Sequence, residues 1–183
     1  MVMSLAPEYF TASMVRALPS DGQRYELVHG EILVAPAPRG SHQRIVGRLF
    51  RALGTACDSV GDLEAMLSPA DISWGADTLV QPDVFVVPKV EAVTGDWSRI
   101  RTLVLIAEVL SPSTAHSDRF QKRKLYQDHA VETLWLVDAD RGFVEVWTPD
   151  SLFPTIETER VLWQPPGATE PLVIGLADLL AHS

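Results

Sequence analysis

Polar and apolar positions change period along the chain, and each change marks an element. Residues 11–22, closed by Pro19-Ser20-Asp21-Gly22, predict a short helix ended by a turn. Residues 24–34 (RYELVHGEILV) predict a hairpin, with strands at 25–28 and 31–34 and His29-Gly30 as the connection, where glycine supplies a positive φ. Pro36, Pro38 and Gly40 then break the chain. Ser41 stands as N-cap of a helix running to about Cys57, because Ile45, Leu49, Leu53 and Ala56 recur at helical spacing while Arg44, Arg48 and Arg51 fall mostly off that stripe.

From residue 63 onward the pattern turns to strands. Residues 71–74 are a weak candidate, and residues 83–87 form a β-branched run between Pro82 and Pro88. Residues 102–110 (TLVLIAEVL) show no polar alternation before Glu108, which suits a central strand covered on both faces. A loop at 111–117 leads to a helix at 118–129, capped by Ser117 or Asp118. Two further strands follow at 133–138 and 142–147, around a turn at 139–141, and the segment 171–180 ends in a short apolar stretch. This order predicts an α/β fold, a mixed β-sheet flanked by helices, in a single domain spanning residues 1–183.

Composition bounds the reading. The 183 residues, 46% hydrophobic and 21% charged, suit a soluble globular protein with one substantial core. The first ten residues lack a basic region before an apolar run, and the longest apolar stretch falls far short of the roughly 20 residues of a membrane span. The expectation is a cytoplasmic protein with no membrane partner. One cysteine, Cys57, excludes an intramolecular disulfide and a thiolate metal cluster, and His29, His42, His116, His129 and His182 lack the spacing of a zinc site. The net charge of −9 runs against binding to phosphate backbones, but Arg39, Arg44, Arg48 and Arg51 fall in one short segment, and Arg119, Lys122, Arg123 and Lys124 in another. Two solvated helix faces are the plain alternative.

The chemistry begins with Glu108. A carboxylate in an otherwise apolar strand must be paired or take a metal, and a buried ion pair with an arginine is the bland account. Asp83 opens another apolar strand, so two carboxylates sit on two strands that are candidates for adjacency, an arrangement that suits a hard cation keeping several waters. On the helix that follows Glu108, Lys122, Leu125, Tyr126 and His129 form one stripe. Lys124 lies about 160° from Lys122 and faces solvent, so Lys122 is the lysine aimed at Glu108.

These residues resemble the proline–aspartate … glutamate–x–lysine signature of restriction-endonuclease-like nucleases. Position 110 departs from it, carrying leucine; in some branches that lysine has moved to the following helix, where Lys122 stands. The chain is similar, more narrowly, to the Uma-type restriction endonuclease family, through Tyr25-Glu26-Leu27-Val28-His29-Gly30-Glu31, His42, Gln81-Pro82-Asp83-Val84, Glu108-Val109-Leu110-Ser111-Pro112-Ser113-Thr114, Asp118-Arg119, Lys122 with Tyr126, and Leu134-Trp135-Leu136-Val137-Asp138. The resemblance implies a restriction-endonuclease-like fold with Asp83 and Glu108 as metal ligands, the Val109 carbonyl as a further ligand, and Lys122 beside them as a catalytic group. It gives Glu26, Glu31, His42 and Tyr126 supporting positions. Glu26 and Glu31 have an alternative as hairpin and cap residues, and His42 as a helix-start residue bonding the hairpin.

The function expected is a Mg²⁺- or Mn²⁺-dependent endonuclease acting on DNA, with a homodimer expected by analogy with nucleases of this fold. The alternative is a nuclease-fold protein that no longer cuts and serves as a binding or assembly module. Ser111, Ser113 and Thr114 lack a nucleophile elbow and an acid–His pair, and are read as turn residues. A glycosidase-like carboxylate pair lacks a stacking aromatic near Asp83 and Glu108.

Overall fold

A computed structural model describes residues 9–181; His182 lies outside the described residues. Helix α1 (Ala12–Arg16) is capped by the Thr11 hydroxyl, which accepts from the Met14 N–H. It leads into the antiparallel hairpin β1 (Arg24–Val28) and β2 (Glu31–Ala35), paired in the register Val28↔Glu31. The turn takes φ of 49° at His29 and 81° at Gly30, the positive values that a two-residue turn matched to the strand twist requires. Helix α2 (Gly40–Val60) is longer at both ends than its apolar stripe predicts. Its N-cap is Arg39, with no side-chain capping bond, so Ser41 lies one step inside the helix and does not cap it; Gly61 ends it in the left-handed conformation, φ 88°.

The mixed sheet expected from the pattern is present and has six strands, in the order β3-β4-β5-β6-β7-β8. Its strands are β3 (Leu63–Leu67), β4 (Val84–Pro88), β5 (Leu105–Val109), β6 (Thr133–Asp138), β7 (Phe143–Trp147) and β8 (Thr155–Glu157). Only β5 and β6 run parallel. Residues 71–74 do not form a strand: Ile72 makes one isolated bridge to Val80, because Gly75 and the Thr78 hydroxyl, which accepts from the Trp74 and Gly75 N–H groups, fold the chain back at once. After β4 come the short helix α3 (Lys89–Ala92) and a 3₁₀ turn at Trp97–Arg99.

The predicted helix at 118–129 is broken into three parts. A turn, α4 (Ala115–Ser117), precedes a π-helical turn at Asp118–Lys122, and α5 (Arg123–Asp128) completes it. The Ser117 hydroxyl donates to the Thr114 carbonyl and Asp118 lies inside the π turn, so neither caps the helix as expected. The chain closes with the hairpin β9 (Arg160–Trp163) and β10 (Leu172–Gly175) and the short helix α6 (Leu176–Leu179).

Alternation along the strands divides the core in two. Val84, Val86, Leu105, Ala107, Trp135 and Val137 face α2, where Ile45, Leu49, Leu53 and Cys57 pack with the C-terminal hairpin. Leu49 and Leu53 are fully buried, each worth about 1.5–3 kcal/mol by removal of apolar surface. Phe85, Val87, Ile106, Leu134 and Leu136 face the other way, against α5 through Leu125 and Tyr126. Asp83 and Glu108 belong by the same alternation to this second face, since Val84 pairs with Ala107 and the next step sets Asp83 opposite Glu108. No helix among the described residues is long and apolar enough to cross a membrane.

Gly30→Ala tests the hairpin. A Cβ there meets the Tyr9 ring and the residue is held at positive φ, so the variant is expected to lose about 1–2 kcal/mol or more in chemical denaturation; an unchanged midpoint would show that the turn has another conformation.

Candidate active site

Asp83 and Glu108 meet at the end of β4 and β5. The Asp83 backbone N–H donates to Glu108 Oε2 at 3.4 Å, and the Val109 N–H donates to Asp83 Oδ2 at 2.9 Å. The chain thus turns the peptide after Glu108 toward Asp83. Asp83 also receives Arg24 Nη1 at 3.0 Å on Oδ1 and faces His42 Nε2 at 3.1 Å on Oδ2. Burial alone would raise the Asp83 pKa, but His42, Arg24 and Lys122 hold it down to about 2.

Glu108 lies deeper. Its Oε1 accepts from Lys122 Nζ at 2.8 Å and from the Tyr126 hydroxyl at 2.6 Å. Lys122 Nζ also reaches Glu26 Oε2 at 3.3 Å and Asp118 Oδ1 at 2.9 Å, the latter an ion pair without hydrogen-bond alignment. Lys124 is in solvent and pairs with Asp128 at 2.9 Å. Glu26 is fixed in turn by the Gln81 N–H at 2.8 Å, and Arg24 stands 3.8 Å from its Oε2.

The structure brings Asp83, Glu108, Lys122, Glu26, His42, Tyr126 and the Val109 peptide together. Glu31 stays outside: it is exposed at the start of β2 and accepts from Gln121 Nε2 at 2.9 Å. Two members were not given a place in the site from sequence, although Asp118 was read as a candidate helix cap and as part of the family resemblance. Arg24 shares its strand face with Glu26 two residues on, and Asp118 stands at the i, i+4 spacing from Lys122. Both spacings were visible as signals, but neither says which partner is met.

Four carboxylates (Glu26, Asp83, Glu108, Asp118) surround two permanent cations, Arg24 and Lys122. Burial and the neighbouring carboxylates therefore push Glu108 up to about 7, although Lys122 pulls the other way. Burial would lower Lys122, but Asp118, Glu108 and Glu26 outweigh it and raise the ammonium well above its usual range, so it stays charged. Burial and Glu108 also raise Tyr126, which stays protonated. His42 is raised: burial opposes the charged ring, and Asp83 overcomes it.

Among the described residues no three His, Cys, Asp or Glu side chains are spaced to hold a metal ion between them. The donor set that does converge is two carboxylates beside one backbone peptide, with an excess of negative charge, and this fits a hard cation that keeps its own waters. Beside these groups opens a cleft of about 320 Å³. Its lining includes Arg24, His42, Val109, Arg39, Arg44, Asp140 and the loop from Ser111 to Thr114.

Residues 12–176 match the family described as Uma2, putative restriction endonuclease. Among solved structures, the fold is similar to that of a protein described as a putative nuclease belonging to DUF820 from Anabaena variabilis ATCC 29413, with a TM-score of 0.76 and 23% identity over 93% of this chain and 97% of that one. No curated protein matches the chain.

Linkage gives a test of the charge surplus. A carboxyl whose pKa is raised in the folded protein favours folding fully below its ordinary value of 4.5, and that contribution is lost as pH rises through about 7. Glu108→Gln removes this dependence while keeping an acceptor for Lys122 and Tyr126. The melting temperature of the variant minus that of the wild type, measured without divalent cations, is expected to grow by several degrees from pH 5 to pH 8. A flat difference would mean that Lys122 alone neutralises Glu108.

Proposed function

Because the chain belongs to the Uma2 putative restriction endonuclease family, we propose that it is a Mg²⁺-dependent nuclease hydrolysing phosphodiester bonds of DNA at Asp83, Glu108 and Lys122. The observation that carries this reading is the state of Glu108. Its Oε1 is saturated by Lys122 and Tyr126, while its Oε2 meets only the long Asp83 N–H contact among the described residues and looks toward Asp83. Asp83 and Glu108 would hold the cation, with the Val109 carbonyl as a further oxygen. Such a cation supplies polarisation of the phosphate and a more acidic bound water.

The remaining work falls to this chain's own side chains. Lys122, permanently charged, donates hydrogen bonds and stabilises negative charge developing on the phosphate; it does not act as a base. Tyr126 fixes the rotamer of Glu108 from behind, and Glu26 holds Lys122 against the site. His42 and Arg24 orient Asp83. One chain carries the whole constellation, so the pairing of two copies is not needed for a single cut.

One observation favours the second reading, a nuclease-fold module that binds without cutting. Both Asp83 oxygens are already engaged by Arg24, His42 and the Val109 N–H, so a cation must displace one of them.

Activity separates the two. Mg²⁺ or Mn²⁺ is expected to support cleavage of DNA, and EDTA to stop it. Glu108→Gln is expected to lower the rate by about 10²–10³ or more while the protein stays folded, and Lys122→Met to lower the rate by a similar factor with a smaller loss of cation affinity in calorimetry. A wild type inert with every metal and substrate but still binding DNA would establish the module. A wild type binding no nucleic acid would end both readings.

A further inference from the structure

Two stripes run along residues 118–127, one position apart. Asp118, Lys122 and Tyr126 form the first, and all three belong to the Glu108 cluster. Lys122 Nζ lies 2.9 Å from Asp118 Oδ1 and 2.8 Å from Glu108 Oε1, and the Tyr126 hydroxyl donates to that same Oε1 at 2.6 Å. Arg119, Arg123 and Gln127 form the second, and all three reach β7 or its flanks. Arg119 Nε donates to Glu145 Oε1 at 2.6 Å, and its Nη2 donates to Asp138 Oδ2 at 2.7 Å. The Arg123 guanidinium lies over the Trp147 ring, 4.4 Å from its centroid. Gln127 Nε2 donates to the Thr148 and Ser151 carbonyls at 2.9 Å each. The first stripe builds the site, and the second holds the segment to the sheet.

Strand register connects the two. Leu136 on β6 pairs with Glu108 on β5 and with Glu145 on β7, so both glutamates stand in one row across the sheet and on one face of it. They are two strand spacings apart, roughly 9–10 Å. Lys122 grips one end of this row and Arg119 the other. The remaining side chains of the π turn give no such hold: Phe120 is exposed, and Gln121 reaches out to Glu31 of the hairpin. A lysine ammonium on its flexible stem can follow a carboxylate through small shifts of the turn. A planar guanidinium spanning two carboxylates cannot, because its donors point in fixed directions. Those carboxylates are themselves held. Trp147 Nε1 donates to Glu145 Oε2 at 3.1 Å, and the Arg141 N–H donates to Asp138 Oδ1 at 3.0 Å. Both are about nine-tenths buried, with side-chain exposures of 10% for Asp138 and 9% for Glu145, so water does not loosen the clamp as it does a surface pair.

We propose that Arg119 is a positioning residue: clamped on Glu145 and Asp138, it sets where the π turn sits on the sheet and thereby holds the Lys122 ammonium at Glu108. It acts through Lys122. The role rests on the nuclease reading, in which Lys122 stabilises charge developing on the phosphate, and it adds a residue outside the carboxylate cluster that governs the rate.

Two measurements test it. Single-turnover cleavage of DNA in Mg²⁺ compares the wild type, Arg119→Lys, Arg119→Gln, Lys122→Met and the double variant Arg119→Gln, Lys122→Met, each at a temperature where circular dichroism shows it folded. Arg119→Gln is expected to lower the maximal rate by about 10–100-fold, the loss that follows a misplacement of about 1 Å, while the half-saturating concentration changes by less than about twofold. Arg119→Lys keeps the charge but cannot span both carboxylates, and is expected to fall between; it carries the comparison where Arg119→Gln does not fold. In the Lys122→Met background the Arg119 change is expected to cost less than about twofold, since both losses remove one effect. Losses that multiply, or a full rate in Arg119→Gln, overturn the role and leave the nuclease reading standing. The second measurement needs no activity. In ¹⁵N spectra of the lysine side chains, the buried Lys122 ammonium is expected to give a slowly exchanging signal, assigned by its absence in Lys122→Met, that shifts or disappears in Arg119→Gln. An unchanged signal overturns the role. An inert wild type whose Lys122 signal still depends on Arg119 overturns the nuclease reading and leaves the positioning of Lys122 standing.

Discussion

A carboxylate buried in a central strand is the constraint around which this protein is organised. Glu108 sits where the alternation of β5 demands an apolar side chain, on the face that also carries Ile106, Phe85 and Leu134. Leaving it there unpaired would cost far more than any one packing contact contributes, so neighbouring elements bring it a cation and a hydroxyl. Lys122 and Tyr126 come from the segment that covers this face, and the hairpin contributes Glu26, which holds the far side of the ammonium. Compensation overshoots, because the groups that hold Lys122 are themselves carboxylates. The cluster ends with more negative charge than its own cations cancel, and that imbalance makes a structural necessity into a candidate cation site.

The π turn at Asp118–Lys122 follows from the same demand. An α-helix through residues 118–129 would present Lys122, Leu125 and Tyr126 on one stripe. In the π-helical turn Asp118 and Lys122 are both buried and lie in contact, and the helix resumes as α5 with Leu125 and Tyr126 still facing the core. Such turns recur at functional sites because one wide turn re-aims a side chain without unravelling the helix. The elements around the site therefore depend on one another. The hairpin delivers both Arg24 to Asp83 and Glu26 to Lys122, through two residues on one strand face, and Arg24 links the two carboxylate centres.

Much of this was legible in the residues because its causes are local. The apolar run broken by Glu108, the positive-φ turn at His29-Gly30 and the stripe through Lys122, Leu125 and Tyr126 are each set within a few positions, and the family resemblance tied them together. What escaped the pattern depends on partners outside the segment concerned. Residues 71–74 carry a strand-like alternation, but the Thr78 hydroxyl captures the Trp74 and Gly75 N–H groups and ends it after one bridge. Strands β8, β9 and β10 are three or four residues long, too short for periodicity to register, and they exist through pairing with β7 and with each other. Glu31, opposite Val28, lies on the same hairpin face as Glu26 but at its turn end, where it is exposed and meets Gln121, so position along the face and not the face itself separates the two.

The charge of −9 belongs in the same account. A surplus of acid looks unsuited to a nucleic-acid enzyme only if every basic residue is free to meet phosphate. Here most of the cations in the two basic segments are tied internally, and several of the acids are the groups that tie them. Arg119 joins Asp138 and Glu145 across β6 and β7, and Lys122 absorbs Glu26, Glu108 and Asp118. What net charge measures is therefore largely the interior and the outer surface. The potential at any one place on the surface is set by the groups that stand there, as Arg39, Arg44 and Asp140 do along the cleft. Net charge alone therefore neither favours nor excludes a contact with phosphate at that place.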